Sequence, residues 1–159
     1  MTARIARRLA LGLLAIGLCQ CQAKETGSPE TTFDIDLNIA PDTLKTLQAA
    51  GDKVTVDVYY FGPATPEHQK DADEEGRIRL GDDLFDVKPG VRTLKVTGAG
   101  IDRSLLGQVV NREPHVMVWA YSTDTVGQNT QRISCDYAFA AIRDARTRPV
   151  KVTCGPYRP

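Results

Sequence analysis

No apolar run in this chain is long enough to cross a membrane. The longest one, residues 9–18, spans about ten residues, whereas a membrane-spanning helix needs about 20. Three arginines precede this run and cysteines and other short residues follow it, an order that is typical of a bacterial export signal. We therefore predict that residues 1–23 are a signal peptide and that the chain is exported to the periplasm or the outer envelope.

The end of this signal leaves two interpretations open. Cleavage after Ala23 would release a soluble protein, whereas lipidation of Cys19 or Cys21 would anchor the protein to a membrane through that cysteine. A lipidation site resembles the bacterial lipobox, in which a small residue directly precedes the cysteine. Here Leu18 precedes Cys19 and Gln20 precedes Cys21, so both candidates depart from that pattern.

Cysteine is scarce in the rest of the chain. The sequence has four cysteines, and the two in the signal leave only Cys135 and Cys154 for the mature domain. In an oxidising compartment such a pair forms a disulfide by default, here closing a loop of about twenty residues. A metal or redox role is disfavoured, because the sequence has no C-x-x-C and no histidine near either cysteine.

An excess of basic residues is also missing. The 20 lysines and arginines are balanced by 20 aspartates and glutamates, and the signal removes three arginines, which leaves 17 basic against 20 acidic residues and a net charge of −3. Nucleic-acid binding needs a basic patch. We therefore predict no nucleic-acid partner, and no electrostatic attraction to an anionic membrane surface.

Recognisable catalytic motifs are absent. The sequence contains no G-x-S-x-G, H-E-x-x-H or P-loop pattern. Its two histidines, His68 and His115, are too far apart in sequence to suggest a set of metal ligands. We therefore predict no catalytic residue and a non-enzymatic function, and an enzyme whose site is assembled from distant residues remains an alternative.

What the sequence does contain is a series of short strands. A polar linker at residues 24–32 precedes a single predicted domain, residues 33–159, which is large enough for a hydrophobic core. A short helix is predicted from Pro41 until Gly51 ends it, and residues 104–111 predict a short helix or turn. Alternating or β-branched residues predict strands at residues 33–39, 53–61, 77–80, 84–87, 91–96, 114–122, 132–142 and 149–154.

These strands predict a mainly β fold, an antiparallel β-sandwich of about seven strands with one or two short helices. Residues 53–62 and 113–123 share a charged start, alternating valines and a late tyrosine. This internal similarity is either chance or a sign of the two central strands of the sandwich. Residues 114–122 are apolar on both faces, so we expect that strand to be covered on both sides.

Aromatic residues in these two strands have two interpretations. They could line a binding surface, but such residues more often fill the core of a sandwich, and we predict the core for them. Asp57 lies between two valines, and we expect it on the polar face of its strand. The aromatic residues concerned are Tyr59, Phe61, Trp119 and Tyr121.

An acidic segment resembles the twelve-residue calcium loop of EF-hand proteins. The resemblance implies calcium ligands at Asp71, Asp73, Glu75 and Asp82, around a turn at Gly76. Glu75 stands where a shorter side chain is usual, Asp82 replaces a long bidentate glutamate, and neither flank predicts a helix. The favoured interpretation is a solvated acidic loop, and calcium remains the alternative cofactor.

One segment carries a family resemblance. Residues 87–96 read as a strand, a Pro89-Gly90 type II turn and a second strand. This arrangement, within residues 76–100, resembles the strand–Pro-Gly–strand element of prealbumin-like and carboxypeptidase-regulatory-like modules. The resemblance implies a sandwich of the immunoglobulin or prealbumin type, and a role in binding, spacing or stabilising without a shared active site.

Taken together, these patterns predict an exported, non-enzymatic module of the cell envelope. It would bind or scaffold an unidentified protein or envelope component through sheet edges or loops. A calcium-stabilised adhesion module that uses the acidic segment is the alternative.

Overall fold

The computed structural model describes residues 27–158, and these form a mainly β fold with short helices. The strands are β1 (Phe33–Ile39), β2 (Lys53–Pro63), β3 (Arg77–Val87), β4 (Thr93–Val96), β5 (His115–Thr123), β6 (Ile133–Cys135), β7 (Ala138–Ala141) and β8 (Val150–Pro156). The α-helices are α1 (Pro41–Ala50) and α2 (Ile142–Ala145), and 3-10 helices cover Pro66–Asp71, Arg103–Gln108 and Val110–Arg112. None of the helices in this part of the chain has the length and apolar character needed to span a membrane.

The strands form two four-stranded sheets. The first sheet has the order β4-β1-β8-β6 and the second has the order β3-β2-β5-β7. All neighbours in the second sheet are antiparallel, as predicted. The first sheet departs from the prediction, because β1 and β8 run parallel. A parallel pair needs a long connection, and here almost the whole domain lies between the two strands.

Alternation along the strands builds one hydrophobic core. On β2, Val54, Val56, Val58 and Tyr60 are fully buried, as their shared face predicts. They belong to the same cluster of buried residues as Ile35 of β1 and residues of β8. Both sheets therefore contribute one apolar face to a common core.

The helix predicted after the first strand is confirmed. Pro41 stands at the start of α1, where its missing N–H costs no hydrogen bond. Gly51 ends the helix with a φ of 71°, and its N–H donates to the carbonyls of Leu47 and Gln48. This left-handed cap is the arrangement that glycine favours.

The strands predicted at residues 77–80 and 84–87 are one continuous strand, β3. Gly81 joins them at a register irregularity opposite Tyr60, with a φ of 126°. A Cβ at this position would lie 2.0 Å from the carbonyl oxygen of Gly100. Only glycine fits this bulge, and the bulge lets the strand continue beyond it.

The prediction of a single strand at residues 132–142 is wrong. The segment divides into β6 and β7, which lie in different sheets, and its last residue begins α2. The chain leaves the first sheet at Asp136, whose N–H donates to the carbonyl of Thr153. Period-two alternation alone does not show this change of sheet, because both halves keep the same pattern.

The predicted Pro89-Gly90 turn is confirmed. The Val91 N–H donates to the Lys88 carbonyl at 3.1 Å, and Gly90 has a φ of 103°, as a type II turn requires. The strands on either side, β3 and β4, belong to different sheets, so the turn carries the chain across from one sheet to the other.

The described part of the predicted linker, residues 27–32, forms a turn. The Thr31 N–H donates to the carbonyl of Ser28, and the Thr31 hydroxyl donates to the carbonyl of Thr97 at 2.8 Å. The turn therefore lies against the end of β4. The predicted signal peptide and its cysteines, Cys19 and Cys21, lie outside the described residues.

The predicted disulfide is confirmed. Cys135 of β6 and Cys154 of β8 stand directly opposite each other in an antiparallel pair, and their sulfurs are bonded. The bond ties the shortest strand of the first sheet to a central one.

Candidate functional site

The carboxylates of the acidic segment contact basic side chains of the same segment. Asp73 accepts hydrogen bonds from the Nε of Arg77 at 2.9 Å and from its backbone N–H, and Glu75 accepts from the same guanidinium at 2.8 Å. Asp71 lies 3.2 Å from the Nδ1 of His68. The carboxylates in this segment are therefore engaged by basic side chains rather than directed at one point.

The fourth predicted ligand lies apart from the others in a regular strand. Asp82 belongs to β3 and forms an ion pair with Arg79. β3 is extended from Arg77 onward, whereas the calcium loop of an EF-hand wraps around its ion. Within residues 27–158, no group of three or more His, Cys, Asp or Glu side chains is placed to hold a metal.

The most distinctive surface is the outer face of the second sheet, on the side opposite the core. The prediction that the four aromatic residues fill the core is wrong: they alternate with the buried valines and lie half-buried on this outer face. The expectation that β5 is covered on both sides is wrong for the same reason. The outer face carries Leu84 of β3, Asp57, Tyr59 and Phe61 of β2, His115, Met117, Trp119 and Tyr121 of β5, and Phe139 of β7.

The alternation of polar and apolar residues along β2 indicates that these aromatic side chains lie on the outer face. Tyr59 and Phe61 are in phase with Asp57, which was expected on the polar face, and out of phase with Tyr60. Trp119 stands directly opposite Asp57 in the register of β2 and β5. Residues opposite each other across two strands share a face, so Trp119 also lies outside.

One end of the outer face is covered by arginines. The rings of Tyr59 and Phe61 stack with centroids 5.9 Å apart, and Phe61 stacks on His115 at 5.8 Å. The guanidinium of Arg79 lies 5.5 Å from the Tyr59 ring and that of Arg77 lies 5.2 Å from the Phe61 ring. These are cation–π distances, and they leave little of these two rings open to a ligand.

Exposed apolar side chains lie on both edge strands of the second sheet and directly before β7. Leu84 is 60% exposed, Phe139 is 61% exposed and Tyr137 is 64% exposed. The Tyr137 ring lies 6.0 Å from that of Trp119, and Phe139 is opposite Met117. We call these five residues, Leu84, Met117, Trp119, Tyr137 and Phe139, the outer-face patch. Singly exposed apolar side chains are common on proteins, whereas several on one face are unusual.

A single carboxylate stands within the outer-face patch. Asp57 is flanked in register by Leu84 on β3 and Trp119 on β5, and it makes no hydrogen bond or ion pair with any other described residue. Burial raises the pKa of Asp57, the nearby Asp82 raises it further, and Arg79 opposes the rise. Burial also raises the pKa of the Tyr121 hydroxyl, with contributions from Asp57 and Asp86.

This placement makes Asp57 a cost to the fold at neutral pH. Because folding raises its pKa, the folded state favours the protonated side chain. That contribution to stability is present below the ordinary pKa of 3.8 and is lost as the pH rises through the higher folded-state value. We expect Asp57→Asn to increase the free energy of unfolding at pH 7 by up to about 0.5 kcal/mol after solvent screening.

Urea unfolding at pH 7 and at about pH 3 checks this expectation, because the gain should vanish in acid. The matched control is Asp136→Asn, at an exposed loop carboxylate, which should leave the stability unchanged at both pH values. A loss of stability in Asp57→Asn at pH 7 would show that the carboxylate supports the fold.

The first sheet carries a groove beside its helix α1. It has a volume of about 440 Å³ and lies between β1, the start of α1 and the turn before β4. Asp36 and Arg92 are the charged residues that line it, and the hydroxyl of Thr93 donates to the Asp36 carboxylate at 3.2 Å. The groove offers a ligand fewer aromatic contacts than the outer-face patch.

Comparisons with known proteins do not add to this description. No protein-family model matches the chain, and neither the curated proteins nor the solved structures contain a match to it.

Proposed function

We propose that this chain is an exported, non-enzymatic binding module, and that it binds a protein or another envelope component through the outer-face patch. The observation that carries the proposal is the concentration of exposed apolar residues on one sheet face. Leu84, Tyr137 and Phe139 are three of the six large hydrophobic side chains that are exposed among the described residues.

The composition of the outer-face patch supports binding to a macromolecule. Tryptophan, tyrosine, phenylalanine and methionine are the residues that protein interfaces enrich. Trp119 and Tyr137 contact each other at the centre of the patch, and residues of these types dominate the binding energy where interfaces have been mapped. Four of the five patch residues lie on regular strands and Tyr137 directly precedes β7, which orders the patch before a partner arrives.

The fold that we propose is a β-sandwich of the immunoglobulin or prealbumin type. Two four-stranded sheets that share one core support this architecture. The Pro89-Gly90 turn that connects the sheets is in keeping with the resemblance to prealbumin-like modules. In such an arrangement the outer-face patch lies on one broad side of the domain, away from the first sheet.

Export is proposed on two grounds. A basic stretch followed by an apolar run and a cysteine-rich end is typical of a signal, and the bond between Cys135 and Cys154 is of the kind that persists in oxidising compartments. Release after Ala23 and lipidation at Cys19 or Cys21 are both compatible with a patch that lies on the folded domain.

Site-specific photo-crosslinking tests the proposed function. A benzophenone amino acid replaces Phe139 in the outer-face patch or, as the matched control, Thr153 on the exposed side of β8, and the protein is irradiated in the cells that make it. We expect a discrete crosslinked product from position 139 alone, and its loss when Trp119→Ala is added. Equal products from both positions, or none from position 139, would contradict the proposal.

A further inference from the structure

We propose that the partner inserts an arginine or lysine side chain into the outer-face patch, where Asp57 is the opposing charge and Trp119 the aromatic wall. The partner segment is an extended peptide in which apolar residues lie on either side of the cation. This inference rests on the proposed function, because it specifies the chemistry of the same surface.

The first argument is that Asp57 is the free carboxylate of this face. Asp82 is paired with Arg79. Asp86 accepts a hydrogen bond from the Thr55 hydroxyl at 2.8 Å and lies 3.3 Å from the Nζ of Lys53. Asp57 has no such partner among the described residues, so its charge is available to a cation from outside.

The second argument is the ring beside the carboxylate. Trp119 stands opposite Asp57. Tyr121 follows Trp119 by two residues and Tyr59 follows Asp57 by two residues, so both lie on the same face. A cation beside a carboxylate and over an aromatic face gains from both, and tryptophan is the most favourable ring. The same face already holds arginines over Tyr59 and Phe61, so its geometry suits a guanidinium.

The third argument is the spacing of the flanking apolar residues. Leu84, Asp57 and Trp119 lie opposite one another on β3, β2 and β5, and the ring of Tyr137, which directly precedes β7, lies 6.0 Å from that of Trp119. Leu84 and Tyr137 are therefore three strand positions apart, which corresponds to about 14 Å. An extended peptide advances about 3.3 Å per residue, so its residues i and i+4 span nearly the same distance. Residue i+2 then lies between Asp57 of β2 and Trp119 of β5, and the pattern that fits is apolar-x-Arg-x-apolar.

The position of Asp57 supports a role outside folding. Burial raises its pKa, so the charged form weakens the isolated fold. A residue that costs stability and makes no internal hydrogen bond or ion pair is the kind that function retains. A bound cation would remove that cost, because it neutralises the charge where burial opposes it.

Two matched peptides test the inference. The first is Ac-Leu-Ser-Arg-Ser-Leu-amide, and the second replaces arginine by citrulline, which keeps the shape and removes the charge. Each is titrated into the ¹⁵N-labelled protein while amide and indole signals are followed by NMR. We expect the arginine peptide to shift signals of β2, β5 and the Trp119 indole, and to bind at least tenfold more tightly than the citrulline peptide.

Two variants locate the charge effect. Asp57→Asn should make the two peptides bind equally, whereas Asp136→Asn should leave the tenfold preference unchanged. Added salt should weaken the arginine peptide more than the citrulline peptide, because only the former gains from charge. Asp57→Asn is expected to fold, so loss of preference in this variant reports the contact itself.

Each other result overturns the inference. Three results would show that no cationic side chain contacts Asp57. The wild type binds both peptides equally, the preference for arginine survives Asp57→Asn, or neither peptide binds. Shifts confined to residues 71–75 would place the cation at the acidic segment instead. If methylguanidinium binds as tightly as the arginine peptide, the site recognises a small cation and not a peptide. None of these results affects crosslinking from position 139, which tests the proposed function separately.

Discussion

We expect replacement of both Cys135 and Cys154 by alanine to lower the free energy of unfolding by about 3 kcal/mol, from loop closure alone. The bond closes the loop between β6 and β8, and β6 has only three residues and pairs only with β8 within its sheet. Without the bond, such a short edge strand has little to hold it. Cys154 is also 1% exposed, so its replacement adds a small loss of core packing.

Thermal and urea unfolding of the variant and the oxidised protein measure this effect. For a domain of this size, 3 kcal/mol corresponds to a fall in Tm of roughly 10 °C. The wild-type protein held in a reducing agent is the matched control and should show nearly the same fall. A change below about 1 kcal/mol in both samples would mean that the pairing of β6 with β8 is stable without the bond.

The second large effect is expected at a buried carboxylate. Asp52 lies just before β2 and is buried, and its Oδ2 accepts hydrogen bonds from Arg132 Nε at 2.8 Å and from the Thr130 hydroxyl at 2.6 Å. We expect Arg132→Ala to lower the free energy of unfolding by about 2–3 kcal/mol, because it leaves a buried charge without its counter-ion. Within the described residues, the segment between β5 and β6 would then be held to Asp52 by the Thr130 hydroxyl alone.

A double-mutant cycle isolates this contact. Asp52→Ala and Arg132→Ala should each destabilise the protein, and the double variant should be less destabilised than the sum of the two. Arg148→Ala removes an exposed arginine and should change the stability by less than about 0.5 kcal/mol. Additive effects of Asp52→Ala and Arg132→Ala, as measured by urea unfolding, would show that the two side chains act independently.

Much of the fold follows from local patterns in the sequence. Alternation located the first strand, the buried face of β2 and the central place of β2 and β5. Proline and glycine located both ends of α1 and the Pro89-Gly90 turn. These features depend on residues close together in the chain, where period and backbone freedom act directly.

Other features depend on contacts between distant residues, and no local pattern contains them. The separation of β6 from β7 depends on where Thr153 offers a carbonyl to Asp136. The continuity of β3 depends on the close approach of Gly100 to Gly81. In each case the partner lies in another part of the chain, so the segment alone cannot show it.

The sequence analysis missed the candidate site because it assigned the aromatic residues to the core rather than to a binding surface. Composition favoured the core for Trp119 and Tyr59, because large rings usually bury there. The phase of the alternation pointed the other way, since Tyr59 is in step with Asp57 and out of step with Val58. On a strand, phase decides which face a side chain occupies, so it should outweigh composition.

The parallel pairing of β1 with β8 sets the order in which the domain is completed. Ile35 lies beside Val150, so one of the first strands to leave the ribosome waits for the last one before it gains this neighbour. Contacts between such distant residues slow folding. A chain that emerges N-terminus first would therefore complete its first sheet only after β8 has emerged, and the second sheet can form earlier, since β2, β3, β5 and β7 all precede β8.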